Sequence, residues 1–221
     1  MNIYLIRHGR QASKLCNLDV GLDDAGRKQA ALAASRIKNY GIQAIYSSKL
    51  KRAIETAEII KKYLENVNSA DYGEISAFEG LNEIDFGKFN GILDSVNEKN
   101  NPEYFEEKRK LISDLRNPDG ENGEDVYKRA YPVLMHIIEE CQANGFERAA
   151  IVTHGGVIRS LCCGLLNMNF KDKLRFGVSL ENCSITELVC NGIYAGFTLE
   201  RFNDYAHLEG REELMRNTWI R

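Results

Sequence analysis

Ile3-Tyr4-Leu5-Ile6-Arg7-His8-Gly9 near the amino end and Ala149-Ala150-Ile151-Val152-Thr153-His154-Gly155-Gly156 far along the chain share one arrangement. In each, a short apolar run ends at polar residues, a histidine among them, followed by glycine. A brief continuous apolar run bounded by a turn signal reads as a strand buried on both faces. Both histidines are therefore expected at strand ends.

Working outward, Ala30, Leu32, Ala33 and Ile37 recur at helical spacing, with Gly41 where a C-terminal cap is expected. Ala44-Ile45-Tyr46 reads as another strand. Leu50, Ala53, Ile54, Ala57, Ile60 and Leu64 then give a helix whose start either Ser47 or Ser48 could cap. A further amphipathic helix runs from Val126 to Cys141, and another from Val157 to Leu166 follows the second histidine. Ser184 to Val189 alternates as a strand and is expected to pair with Tyr194 to Phe202 through a hairpin at Cys190-Asn191-Gly192.

Strands alternating with helices predict an α/β fold: a three-layer sandwich with a mostly parallel central sheet and helices on both faces. Residues 1–221 read as a single domain. From about 66 to 124 the pattern loosens, with glycines and prolines punctuating short apolar pieces, and this span is expected to form a helical insertion over the site. In open α/β sheets ligands collect beyond the carboxyl ends of the strands. That rule puts His8 and His154 in one crevice.

The charge balance, Lys+Arg 29 against Asp+Glu 32 for a net charge of −3, creates no basic field and argues against nucleic acid as a partner. No run approaches the length of a membrane helix, so no membrane association is expected. The first residues lead straight into a strand without a charged leader, which points to a cytoplasmic protein. Six cysteines without a C-x-x-C pair are expected to be free thiols.

A phosphate monoester needs a nucleophile, positive groups for its equatorial oxygens and an acid for the leaving oxygen. His8 is the candidate nucleophile, and Arg7 beside it offers a planar fork. Arg52, in the first turn of its helix, adds a second fork where the helix dipole also favours an anion. His154 stands at a helix start, where the amides of Gly155 and Gly156 are expected to face the same anion. Glu83 is the candidate acid because its apolar neighbours should keep the carboxyl from water, with Asp85 as runner-up and Glu79 as another contender. No His and carboxylate pattern has metal-site spacing, so neither metal nor cofactor is expected.

Each element alone has an ordinary reading: a turn, a solvated helix face, a structural histidine. Together they resemble the histidine phosphatase superfamily, the phosphoglycerate-mutase-like group. The resemblance runs through Leu5 to Gly9, Gly21 to Ala30, Ser47 to Ala57, Glu83 to Gly91 and Ile151 to Gly156, in the family's order and over nearly the whole chain. It implies that His8 is phosphorylated, that His154, Arg7 and Arg52 hold the phosphoryl group and that Glu83 is the acid. Glu121, within Gly120-Glu121-Asn122, resembles part of a family Gly-Glu-Ser step that helps shape the pocket.

Arg10 and Gln11 depart from the Glu or Gln and Thr or Ser that the family usually carries after Arg-His-Gly. Lys14 stands where an asparagine is common, and Asn17 is expected to replace that asparagine. The charges at Arg10 and Lys14 suit a substrate with a second anionic group. Tyr104, Phe105, Lys108, Arg109 and Lys110 could touch the leaving portion or merely form a solvated helix. The leading expectation is a metal-independent phosphatase acting on a small phosphorylated metabolite. The alternatives are a phosphoglycerate-type mutase, a ribazole-phosphate phosphatase and a non-catalytic signalling or binding module on the same scaffold.

Overall fold

The computed structural model describes residues 1–176, 180–192 and 196–216. Its strands are β1 (Asn2–Arg7), β2 (Ala44–Ser48), β3 (Ser76–Phe78), β4 (Arg148–Thr153), β5 (Ile185–Cys190) and β6 (Phe197–Asp204). Its α-helices are α1 (Asp24–Ile37), α2 (Lys51–Asn68), α3 (Asp94–Asn100), α4 (Pro102–Lys110), α5 (Gly123–Ala143) and α6 (Gly155–Leu165). The strands form one sheet in the order β3-β2-β4-β1-β5-β6. β1, β2, β3 and β4 are mutually parallel, while β5 runs antiparallel to both β1 and β6.

The continuous apolar runs have their cause here: each central strand is covered on both faces. Ile3, Leu5, Ala149 and Ile151 pack with Leu134, Ile137 and Ile138 of α5 and Ile158 and Leu161 of α6. Tyr4, Ile6, Ala150 and Val152 face the other way, against Ala34 and Ile37 of α1 and Ala53, Ile60 and Leu64 of α2. This is the expected three-layer α/β sandwich. Fully burying an isoleucine or leucine contributes about 1.5–3 kcal/mol, so the two clusters are the main favourable term holding the sheet between its helices.

Several local expectations need correction. Helix α1 stops at Ile37, ahead of Gly41, which adopts φ +66° in the loop beyond the helix instead of capping it. Neither serine caps α2: the amide of Lys51 donates to Asp19 Oδ1 at 2.9 Å, Ser47 Oγ turns to the Ser48 carbonyl, and Ser48 Oγ meets His154. For Ser48 a tertiary partner outcompetes the local cap. Within the span expected as an insertion, α2 continues to Asn68 and β3 joins the sheet edge beside β2. The helical cover is the narrower pair α3 and α4. Helix α5 begins at Gly123, three residues early, because Asn122 and Asp125 form a reciprocal capping box. The hairpin pairing of β5 with β6 is present, whereas Tyr194 lies outside the described residues.

Among the described residues, no helix is long and apolar enough to cross a membrane. All six cysteines are free, and Cys162 and Cys163 are both buried in α6.

Candidate active site

The parallel register of β1 and β4 pairs Arg7 with Thr153, so the next residue of each strand, His8 and His154, emerges side by side. Adjacent strands lie about 4.8 Å apart. The two imidazole centroids are 4.9 Å apart at an interplanar angle of 53°. The amide of His8 extends the ladder by donating to the Thr153 carbonyl at 2.9 Å.

One tautomer of His8 fits its contacts. Nδ1 lies 2.6 Å from the Gly9 carbonyl oxygen, which can only accept, so Nδ1 carries the proton. Nε2 is then left with its lone pair, and Arg52 Nε donates towards it at 3.3 Å. Burial holds the His8 pKa well below the usual imidazole value, and the charges of Arg52 and Arg7 push the same way. A neutral ring whose Nε2 keeps its lone pair is the form that attacks phosphorus.

His154 is fully buried, and its pKa is likewise held well down, by burial first and then by His8, Arg52 and Arg7. Its Nε2 is 2.7 Å from Ser48 Oγ at the end of β2. Its buried Nδ1 has no hydrogen-bond partner in the structure. Arg7 is similar: one terminal nitrogen donates to the Leu180 carbonyl, while its buried Nε has no partner. Burial, and after it the charge of Arg216, lowers the Arg7 guanidinium to about 9. An oxyanion would satisfy Arg7 Nε as it stands, and His154 Nδ1 in the tautomer where Nε2 accepts from the Ser48 hydroxyl.

Arg52 is 1% exposed, in the first turn of α2. Its remaining nitrogens donate to the Leu18 carbonyl at 3.2 Å and to Asn17 Oδ1 at 2.8 Å. Asn17 is thus a holder of Arg52 as well as a wall of the crevice, and its side-chain amide reaches Asn90 Oδ1 at 3.2 Å. Gly155 also lines the crevice.

Glu83 lines the same crevice. The apolar surroundings expected from its neighbours are not what its carboxylate meets: Oε1 accepts from the amides of Ile84 and Gly156, each at 2.9 Å. Ile84 points instead into the core. Gly156 therefore serves Glu83 and not the anion, which leaves Gly155 as the glycine beside the anion pocket. Asp85 is exposed and away from the crevice, with Oδ1 occupied by the Gly87 amide and Asn90. Glu121 does not line the crevice. It grips Arg129 through both carboxylate oxygens at 2.7 and 2.8 Å, and Arg129 donates to the carbonyls of Gly80, Asn82 and Glu83. The pair shapes the pocket by holding the loop that carries Glu83.

Reading the sequence missed Arg159, Arg216, Ser48 and Gln29. Arg159 and Arg216 line the crevice, which has a volume of about 720 Å³. Gln29, fully buried, accepts from the Arg10 amide at 2.8 Å and donates to the Leu214 carbonyl at 2.5 Å, tying the carboxyl-terminal segment to the loop after β1. Arg159 had a legible signal, because it lies one helical turn beyond Gly155. His136 is exposed on α5, and His207 belongs to the segment after β6, away from this crevice.

Two histidines at adjacent parallel strand ends, the buried Arg52, the half-buried Arg7 and a carboxylate in one crevice define an α/β protein with a site that suits a phosphoryl group. The chain belongs to the histidine phosphatase superfamily (branch 1), whose family model matches residues 3–205. Phosphoryl transfer through a phosphohistidine is general to that family. Phosphoglycerate mutase-like protein 4 of Arabidopsis thaliana is 35% identical, the match covering 72% of this chain and 68% of that protein. A probable phosphoglycerate mutase of Salmonella arizonae is 28% identical over 98% of this chain and 100% of its own length. Among solved structures, a mycobacterial glucosyl-3-phosphoglycerate phosphatase superposes with a TM-score of 0.80 at 23% identity, covering 93% of this chain and 98% of that one. A phosphoglycerate mutase of Bacillus anthracis gives a TM-score of 0.78 at 25% identity, with 94% of each chain covered.

Proposed function

We propose that the protein is a metal-independent phosphomonoesterase that hydrolyses a small phosphorylated metabolite through a phosphohistidine on His8. The observation that carries this reading is the His8 tautomer, with Nδ1–H tied to Gly9 and Nε2 presented between Arg52 and the His154 ring. His8 Nε2 attacks phosphorus in line, and the phosphorus to ester-oxygen bond breaks as the new phosphorus to nitrogen bond forms. Glu83, through its other carboxylate oxygen, donates a proton to the leaving alkoxide. Water, deprotonated by the same carboxylate, then attacks the phosphohistidine and releases inorganic phosphate.

Arg7, Arg52 and His154 Nδ1 supply the charge and donors that the three equatorial oxygens need, in a buried setting where each counts for more than in water. That set is sufficient without a divalent ion. Turnover is expected to survive EDTA, and a loss restored only by an added divalent cation would overturn this part of the proposal.

The decisive experiment is brief mixing with a labelled phosphomonoester followed by denaturing quench. Acid-labile, base-stable label is expected on a peptide containing His8. Label on another residue, or substantial turnover by His8→Ala, contradicts the reading. A second reading, a phosphoglycerate-type mutase, is favoured by the names of the relatives at 28% and 35% identity. The same experiment separates the two: a mutase passes the label to a second metabolite, whereas a phosphatase passes it to water.

A further inference from the structure

One acceptor, the Gly9 carbonyl at 2.6 Å from Nδ1, selects the tautomer of His8 that leaves Nε2 unprotonated. What aims that carbonyl is a residue that does not line the crevice. The peptide joining Gly9 to Arg10 is trans, so its C=O and its N–H point in opposite directions from one rigid plane. The N–H, which belongs to Arg10, donates to Gln29 Oε1 at 2.8 Å. Holding the N–H on one side fixes the direction of the carbonyl on the other.

Gln29 itself can sit only one way round. The Arg10 amide only donates and the Leu214 carbonyl only accepts, so Oε1 faces the first and Nε2, at 2.5 Å, the second. The other buried positions of α1 are small or aliphatic, and an amide buried among them costs free energy unless both its ends are paired. Close backbone contact brings the loop after β1 within reach. A methyl group on Gly9 would lie 2.6 Å from the Gly26 carbonyl oxygen, and one on Gly26 would collide with the Arg10 carbonyl. The Arg10 side chain, paired with Asp23 at 2.7 Å, ties the same loop to the start of α1. The preceding peptide is pinned as well: the Gly9 amide donates to Thr56 Oγ1 at 3.0 Å and the His8 carbonyl accepts from Asn182 Nδ2 at 3.0 Å. Thr56 is fully buried, and its hydroxyl donates onward to the Arg52 carbonyl at 2.6 Å, which leaves a lone pair for the Gly9 amide.

We infer that Gln29, assisted by Thr56, is a positioning residue for the nucleophile, holding the peptide after Gly9 so that its carbonyl selects the reactive tautomer of His8. This inference rests on His8 as the nucleophile and adds what orients it. As Nε2 bonds to phosphorus the ring becomes positively charged with its proton still on Nδ1, and the aimed carbonyl dipole stabilises that charge. The contact is therefore stronger in the transition state than before it, and its loss falls on kcat.

The tautomer is measured first, by NMR of protein carrying nitrogen-15 histidine, with His8→Ala assigning the signals. At pH 7.5 wild-type His8 is expected to show a protonated Nδ1 and an unprotonated Nε2. Gln29→Met keeps the length of the side chain but loses both contacts, and there the proton should be shared between the two nitrogens. Phosphohistidine formation in that variant should slow by about tenfold or more, within the range that a misplaced reacting group can cost, while KM changes little. Unlike the loss in Glu83→Gln, this one should be equal for alkyl and nitrophenyl phosphates, because it concerns the nucleophile and not the leaving oxygen. Thr56→Val should show the same two effects and Thr56→Ser should recover most of the rate, which keeps the inference testable if Gln29→Met does not fold. A protonated Nε2 in wild type, or the wild-type tautomer in both Gln29→Met and Thr56→Val, overturns it and leaves Gln29 as a tie for Leu214 alone. If the tautomer shifts as expected but His8 takes no label, the phosphohistidine reading falls and the hold of Gln29 on the ring stands.

Discussion

The amide of Gly156, at the start of α6, donates to Glu83 Oε1 at 2.9 Å. The helix that follows His154 therefore also fixes the carboxylate that reaches the crevice from a different loop. Ile84 contributes a second amide to the same oxygen at 2.9 Å. With Oε1 held twice, the other oxygen is the one available for proton transfer, and its direction is set by backbone and not by a mobile side chain.

Replacing Glu83 by Gln keeps the shape and removes the proton. The loss should be on the order of a hundredfold or more for alkyl phosphates, whose leaving oxygens need protonation. It should be small for p-nitrophenyl phosphate, whose phenolate leaves unaided. Arg129→Gln should reproduce the same leaving-group selectivity, because Arg129 binds the carbonyls of Gly80, Asn82 and Glu83. Combining it with Glu83→Gln should add little for alkyl substrates, as expected of residues acting as one unit. Equal losses on both substrate types would mean general damage to the pocket.

What the sequence made legible follows from how local each cause is. The β1 and β4 runs, and with them Arg7, His8 and His154, were readable because burial on both faces writes a continuous apolar run that stops where the strand stops. Arg52 was readable from helical spacing after β2. Ser47 and Ser48 are equally eligible as caps in the sequence, and the partner that claims the Ser48 hydroxyl, His154, lies 106 positions away. Arg216 was invisible for the same reason: it reaches the crevice only because Gln29 holds the Leu214 carbonyl and the buried Glu181 accepts the Arg216 amide at 3.1 Å. No periodicity in the carboxyl-terminal segment encodes that return.

The histidines make stability depend on pH with a definite sign. Burial lowers the imidazole pKa of His8 and His154 well below 6.5 and that of His207 to about 4. The unfolded chain binds these protons first, so protonation favours unfolding. The stability conferred by the neutral rings is fully present above about 6.5, the unfolded value, and declines as pH falls towards the folded values. Urea midpoints measured at pH 7.5, 6 and 5 should therefore fall in that order. His207→Gln, which removes one of the three rings, should flatten the decline even if its midpoint at pH 7.5 is lower. An unchanged slope in that variant would remove His207 from the account. For catalysis, the acid limb that reports protonation of His8 in kcat/KM should lie below the usual imidazole range.

Gly155 and Gly156 are adjacent in the first turn of α6, yet alanine should affect them in opposite ways. Neither has the positive backbone φ that excludes a side chain, and alanine is the better helix former by up to about 1 kcal/mol, so backbone preference alone would favour both substitutions. The surroundings decide. A methyl group on Gly155 would meet nothing closer than 3.5 Å, ordinary contact with Arg159 and Arg7. A methyl group on Gly156 would collide with Glu83 Oε1 and approach Ile84 Cγ2 to 2.8 Å, and Ile84 is only 7% exposed and packed in the core. The carboxylate must then swing off the amide that holds it. Gly156→Ala should accordingly lower stability by about 1–3 kcal/mol through overpacking and show the same leaving-group selectivity as Glu83→Gln. Gly155→Ala should keep the wild-type melting temperature or raise it slightly, and its kinetic loss should fall on all substrates alike because the methyl crowds the anion between two guanidiniums. Melting temperatures and paired kcat/KM values on alkyl and nitrophenyl phosphates measure both. If the two variants prove indistinguishable, or if Gly156→Ala turns over alkyl phosphates normally, the grip of α6 on Glu83 is not what positions the acid.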